Sequence, residues 1–130
     1  MRHDAQGASV TQGKQRTGAW GERFARTYLA QRGYRILEAN YRCAYGEIDL
    51  VADKGDCLVF VEVRTRRSRA FGTPEESVTP RKIEHLKSSA EHYLQTHTGL
   101  PLSWRIDLVA LELGPGGRVE RINHIENAVS

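Results

Sequence analysis

The sequence predicts a single α/β domain built on a mixed β-sheet flanked by helices, in the order α-β-β-β-α-β-β. Three observations carry that expectation. Two segments place apolar residues at helical spacing, five shorter segments read as strands bounded by turn residues, and the second helical segment falls between strands that are not hairpin neighbours. A helix in that position can connect parallel strands, which a tight turn cannot do. At 130 residues the chain suits one hydrophobic core and is short for two, so residues 17–130 are read as one domain.

Residues 1–16 are polar and Gly-rich and are expected as a flexible tail, because they offer little apolar surface to offset chain entropy. From Thr17 to Gln31, Trp20, Phe24, Ala25, Tyr28 and Leu29 form one apolar arc, and Gly33 stands where a helix stops. Glu22 projects only about 20° from Leu29 on that helix, at the edge of the apolar arc. Tyr34–Arg42 reads as a first strand, and Tyr45–Ala52 and Cys57–Arg66 flank the turn Asp53-Lys54-Gly55-Asp56. Residues 70–79 read as an ordered loop. Thr79 is placed to cap a helix that has Pro80 in its first turn and runs to about Thr96. Its core positions are Ile83, Leu86, Ala90, Tyr93 and Leu94, with Lys82, His85, Ser89 and His92 on another face. Trp104–Leu113 is the fourth strand, Gly114-Pro115-Gly116-Gly117 a turn, and Val119–Ile125 a short edge strand.

Composition excludes the disordered and membrane-embedded classes, with 39% hydrophobic and 27% charged residues. Residues 1–18 lack the apolar core of a secretory signal and no later run is long enough to span a bilayer, so a soluble, cytoplasmic protein with no membrane partner is expected. Cys43 and Cys57 show no CxxC spacing and no companion histidines, which argues for free thiols. His85 and His92 lie seven residues apart without a third ligand and read as surface residues; Trp20 and Trp104 read as core residues. The net charge of +3 permits a polyanionic partner. Residues 1–42 carry eight Lys/Arg against three Asp/Glu, and Arg64, Arg66, Arg67 and Arg69 follow within one short stretch.

The chemistry is concentrated in Gly46-Glu47-Ile48-Asp49-Leu50-Val51 and Val59-Phe60-Val61-Glu62-Val63-Arg64, where charges interrupt apolar strands. If Ala52 pairs with Cys57 across a four-residue turn, Glu47 opposes Glu62, and Glu47, Asp49, Glu62 and Arg64 share one face. Crowded carboxylates must be protonated, paired or metal-bound. Hard oxygen ligands suit Mg²⁺ or Mn²⁺, with Asp49 and Glu62 as the leading ligands. The alternative is an exposed sheet face whose acids close salt bridges to Arg64 or Arg66.

The segments GEIDLV, FVEVRTR and FGTPEESVTPRK, with the initial GAWGER helix and the late WRIDLVAL strand, closely resemble the YraN-type family of uncharacterised bacterial proteins over about residues 16–126. That family is identified as a member of the PD-(D/E)xK nuclease superfamily, similar to archaeal Holliday-junction resolvases. The resemblance implies a restriction-endonuclease-like fold and a Mg²⁺-dependent DNA endonuclease, structure-selective on branched or single-stranded DNA. It implies that Asp49, Glu62 and the Val63 carbonyl hold the metal, with Glu22 adding a ligand directly or through water. Arg64 takes the place of the motif lysine. Lysine can help orient or deprotonate a water, whereas arginine stays charged and can only stabilise anionic charge. Lys82 could supply the missing ammonium; Glu47 is a further accessory group; and Arg66, Arg67 and Arg69 would position the nucleic-acid backbone. Asp107 is similar to a late-strand aspartate of the family. Two other readings stay open: a nucleic-acid-binding module weak in catalysis because of Arg64, and a protein-interaction scaffold. A homodimer, which would place two sites on two strands, also stays open.

Overall fold

The computed structural model describes residues 5–70 and 72–129, with side chains described from Gly18 onward. The elements are α1 (Ala5–Gln31), β1 (Arg35–Cys43), β2 (Gly46–Lys54), β3 (Cys57–Arg66), α2 (Pro80–Thr96), β4 (Ser103–Leu113) and β5 (Val119–Ile125), with short 3-10 turns at Glu75–Ser77 and Pro115–Gly117. The order is the one expected. α1 begins at Ala5, so its backbone covers residues 5–16, where the sequence reading expects a tail; residues 1–4 lie outside the described residues. Among the described residues no helix is long and apolar enough to cross a membrane.

The strands form one sheet in the order β1-β2-β3-β4-β5, antiparallel except for the parallel pair β3–β4 that α2 connects. Helices cover both faces. Ala25 and Leu29 of α1 pack on Leu50, Ala52, Val59, Val61, Val109 and Leu111. Leu86, Ala90 and Tyr93 of α2 pack on Ile48, Val51, Leu58, Phe60 and Ile106. Covered on both sides, β3 is buried without a break from Leu58 to Glu62, the pattern of a central strand in a two-sided sheet. Glu62 is the one carboxylate in that run.

Two local features set the helices. Thr79 Oγ1 accepts a hydrogen bond from Lys82 N at 3.1 Å, with Pro80 at the first helical position, so α2 starts where its capping residue dictates. In α1, Gly21 is buried against β3: a Cβ there would lie 2.2 Å from Thr65 Oγ1. Only glycine lets the helix come so close, and the next residue is Glu22.

The structure corrects the expected β2–β3 register. Lys54 pairs with Cys57 and Ala52 with Val59, so the turn is the two residues Gly55-Asp56, with Gly55 at φ 60. Glycine takes that left-handed conformation without the penalty a Cβ would bring, and glycine at the first position of a two-residue hairpin matches strand twist. The pairing is therefore two residues away from the expected one, which preserves side-chain alternation. Two burial expectations also change. Ser89, expected on a face other than that of the core positions, is fully buried, its Oγ 3.6 Å from Cys43 Sγ. Trp104, expected in the core, is 39% exposed and meets Phe60 only edge-on.

Candidate functional site

The β2–β3 ladder runs from Lys54↔Cys57 to Leu50↔Val61 and ends there, while β3 continues beside β4 to Arg66. Asp49 fills the resulting fork: its Oδ2 accepts from the Val63 N–H at 2.8 Å, standing in for a backbone partner. β1 is irregular at the same level, where Asn40 has φ 56 between the pairs Ala39↔Leu50 and Tyr41↔Ile48. Leu50 and Ile48 consequently pack into opposite cores although they are two residues apart. The strand turns over at Asp49.

That turnover overrides the simple alternation from which the sequence places four charges on one face. Glu47 lines a cleft of about 320 Å³ on the α1 side with Glu22, Asn40, Asp49 and Val63. Glu62 lies on the α2 side, where Lys82 Nζ stands 3.7 Å and Arg64 Nε 3.1 Å from its Oε2. Asp49 links the two sides, since its carboxyl group is within proton-sharing reach of Glu62.

Burial and the neighbouring Asp49 push the Glu62 carboxyl up to about 8, against the pull of Lys82 and Arg64. Asp49 is also raised, chiefly by burial, although the Val63 N–H favours its charged form. Glu22 is raised by burial and by Asp49, with a hydrogen bond to the Asn40 side chain opposing. The pair thus carries less negative charge than two carboxylates normally would. Glu62 Oε1 is sealed from solvent with no donor on it, and the Arg64 guanidinium is misaligned, its buried Nε making no hydrogen bond despite its proximity. An orphaned carboxylate oxygen beside a second carboxylate is a place for a proton or a cation.

These residues fit a hard divalent cation. The donors are all oxygen, and the buried oxygen lacks a partner that a cation would supply. Among the described residues no three His, Cys, Asp or Glu side chains gather closely enough to hold an ion. A two-carboxylate site suits magnesium, which keeps several waters when bound. Glu22 stands across the cleft with Asn40 and Glu47 rather than beside Glu62.

The remaining site residues separate by their partners. Arg69 is held bidentately by Glu112, at 2.7 and 2.9 Å, and lines one cleft with Arg66 and Arg67. His85 is exposed, while His92 is half-buried and shares a 2.5 Å hydrogen bond with the Tyr41 hydroxyl. Asp107 on β4 is fully buried; it accepts from Arg105 Nε, the Asn127 N–H and His124 Nε2 at 2.9–3.0 Å. Burial alone would raise its carboxyl, and these bonds hold it below the usual range instead. Asp107 therefore anchors the chain after β5 to the sheet. Sequence reasoning missed Asn40; its only signal was an asparagine inside a strand-like run, a residue type that tolerates left-handed backbone.

A sequence model described as "Uncharacterised protein family UPF0102" matches residues 21–111. The UPF0102 protein of Syntrophomonas wolfei is 50% identical over 111 residues, covering 85% of this chain and 95% of that protein. That of Moorella thermoacetica is 47% identical over 119 residues, covering 92% and 99%, and that of Roseiflexus castenholzii 46% over 122 residues, covering 92% and 98%. The matched span takes in Glu22, Asp49, Glu62, Arg64 and Lys82.

Proposed function

The chain belongs to the uncharacterised UPF0102 family, and we propose that it is a Mg²⁺- or Mn²⁺-dependent endonuclease acting on DNA, selective for branched or single-stranded forms. The observation that carries this reading is the carboxylate pair at the strand fork, half-buried Asp49 and buried Glu62, with a donorless Glu62 oxygen and two cationic side chains alongside. Asp49 and Glu62 would hold the cation, the Val63 carbonyl is the adjoining candidate ligand, and Glu22 and Glu47 would act from the cleft wall through water. When bound, such a cation polarises a phosphodiester and lowers the pKa of a water. Arg64 remains charged throughout and offsets negative charge on a phosphate. Lys82 brings an ammonium to Glu62 from α2, the place from which the motif lysine's charge can be supplied.

Cleavage of labelled single-stranded, duplex, flap and four-way-junction DNA with Mg²⁺ or Mn²⁺ tests this reading. Cutting by the wild type that is lost in both Asp49→Ala and Glu62→Ala is the expected result. No cutting by a folded wild type sinks it. DNA binding in those samples would then favour a second reading, a binding module without turnover, which the arginine at position 64 supports. Binding of neither DNA nor metal would leave the scaffold reading, in which Glu62 only closes salt bridges.

A further inference from the structure

The acidic cleft at the fork adjoins a second cleft of about 420 Å³ along the same side of α1, and Ala19 belongs to the walls of both. The two differ in charge. Glu22, Glu47 and Asp49 line the first, whereas Trp20, Arg23, Arg67, Gly116 and Gly117 are in the wall of the second, which has no carboxylate among the described residues. Trp20 is half-buried, stacked on Phe24 at 5.5 Å with 22° between the rings, which fixes the indole plane. Arg23 is exposed, and its guanidinium has no ion pair or hydrogen bond among the described residues. This contrasts with Arg69, whose guanidinium is held by Glu112.

We propose that the Trp20–Arg23–Arg67 cleft is a nucleotide subsite for single-stranded nucleic acid, in which the indole stacks on a base, the Arg23 guanidinium pairs with a flanking phosphate and Arg67 adds positive charge to the wall. This rests on the nuclease reading above and extends it to where the strand lies. A polyanion is repelled by a cleft walled with three carboxylates, so a strand reaching the fork needs cations beside it. The second cleft supplies them next to the acidic one. A fixed indole adds stacking that is indifferent to sequence, because every base has a π-face. Guanidinium pairing with phosphate fixes position without reading bases.

The test is binding of a short fluorescence-silent single-stranded oligonucleotide in EDTA, where no cutting occurs. The protein would carry Trp104→Phe, so that Trp20 is the sole tryptophan. Expected are quenching of Trp20 emission and about tenfold weaker binding in Trp20→Leu, made in the Trp104-containing protein and followed by anisotropy of a labelled oligonucleotide. Arg23→Ala should weaken binding and lower the slope of log affinity against log salt by about one. Arg23 is exposed, so its variant should fold even if Trp20→Leu does not. Wild-type binding with unchanged Trp20 emission and unchanged affinity in Arg23→Ala would overturn the subsite and leave the nuclease reading standing. No oligonucleotide binding by the wild type would likewise overturn the subsite, and the cleavage assay above then decides the nuclease reading by itself.

Discussion

At position 64 the side-chain chemistry departs from the lysine that the proposed nuclease reading calls for. Arg64 sits against Glu62 with its Nε 3.1 Å from Oε2, yet without an aligned hydrogen bond. It neutralises charge but has no accessible proton to give or take near neutrality. On the proposed nuclease reading, Arg64→Lys should therefore raise metal-dependent cleavage by about a hundredfold, the low end of what a positioned acid or base contributes. Single-turnover cleavage rates would check it. If the rate is unchanged while Lys82→Ala abolishes cutting, the ammonium of α2 already fills the role. Asp107 makes the opposite point. It is an aspartate in an apolar strand like Asp49, but its hydrogen bonds to Arg105, His124 and Asn127 leave it satisfied. Glu62 has an oxygen with no donor, and that difference is why the proposed site is placed at Glu62 and not at Asp107.

At the scale of elements, the approach of α1 to β3 places Glu22 at the fork. Gly21→Ala would drive a methyl group to 2.2 Å from Thr65 Oγ1, and overpacking of this kind costs about 1–3 kcal/mol. Combining it with Thr65→Ala should recover most of the loss, because the conflict is with the hydroxyl. Denaturant melts of the two single variants and the double variant would show that non-additivity. A second element-level device joins the 3-10 turn Glu75–Ser77 to the sheet. Arg121 binds both Glu75 and Glu112, Arg69 binds Glu112, and Asn123 donates to Glu75. Hydrogen bonding from Arg121 outweighs burial and holds the Glu75 carboxyl down, to about 2. A depressed folded-state value means the stabilisation is full above the ordinary 4.5 and is lost as pH falls toward 2. Glu75→Gln should lower Tm near pH 7 by about 4 °C, for about 1 kcal/mol at a partly exposed pair. The difference from wild type should shrink below pH 4.5 and be lost as pH falls through about 2, the folded-state value. A constant difference across that range would refute the assignment.

For the whole molecule, the proposed cation binding would be linked to folding. Asp49 and Glu62 belong to different strands and are brought together only in the native state, so an ion held by both stabilises the fold. At a hundredfold excess over Kd the gain is about 2.7 kcal/mol. Thermal melts with Mn²⁺ should show a Tm increase that is absent in Asp49→Asn and in Glu62→Gln, while Glu75→Gln keeps it. A rise of equal size in all of them would mean the ion binds elsewhere. This readout is independent of cleavage, so it separates a bound but slow enzyme from a protein with no metal site.

The element order, β3, β5 and the Thr79-capped α2 follow from the sequence alone, because apolar periodicity, turn residues and caps act over a few neighbouring positions. The identities of Asp49, Glu62 and Glu22 as unusual charges were legible for the same reason: each interrupts an apolar pattern. Their arrangement was not. Alternation placed Glu47 with Glu62, but β2 turns over at Asp49 opposite the left-handed Asn40, sending Glu47 to the α1 side and Glu62 to α2. Such a reversal comes from how strands diverge and twist under two helical layers, which no local pattern encodes. Likewise, that Asp107 is satisfied and Glu62 is not depends on His124, Arg105 and Asn127 meeting across β4, β5 and the chain that follows. Hydrogen-bond satisfaction is a property of residues distant in sequence, and only the packed chain decides it.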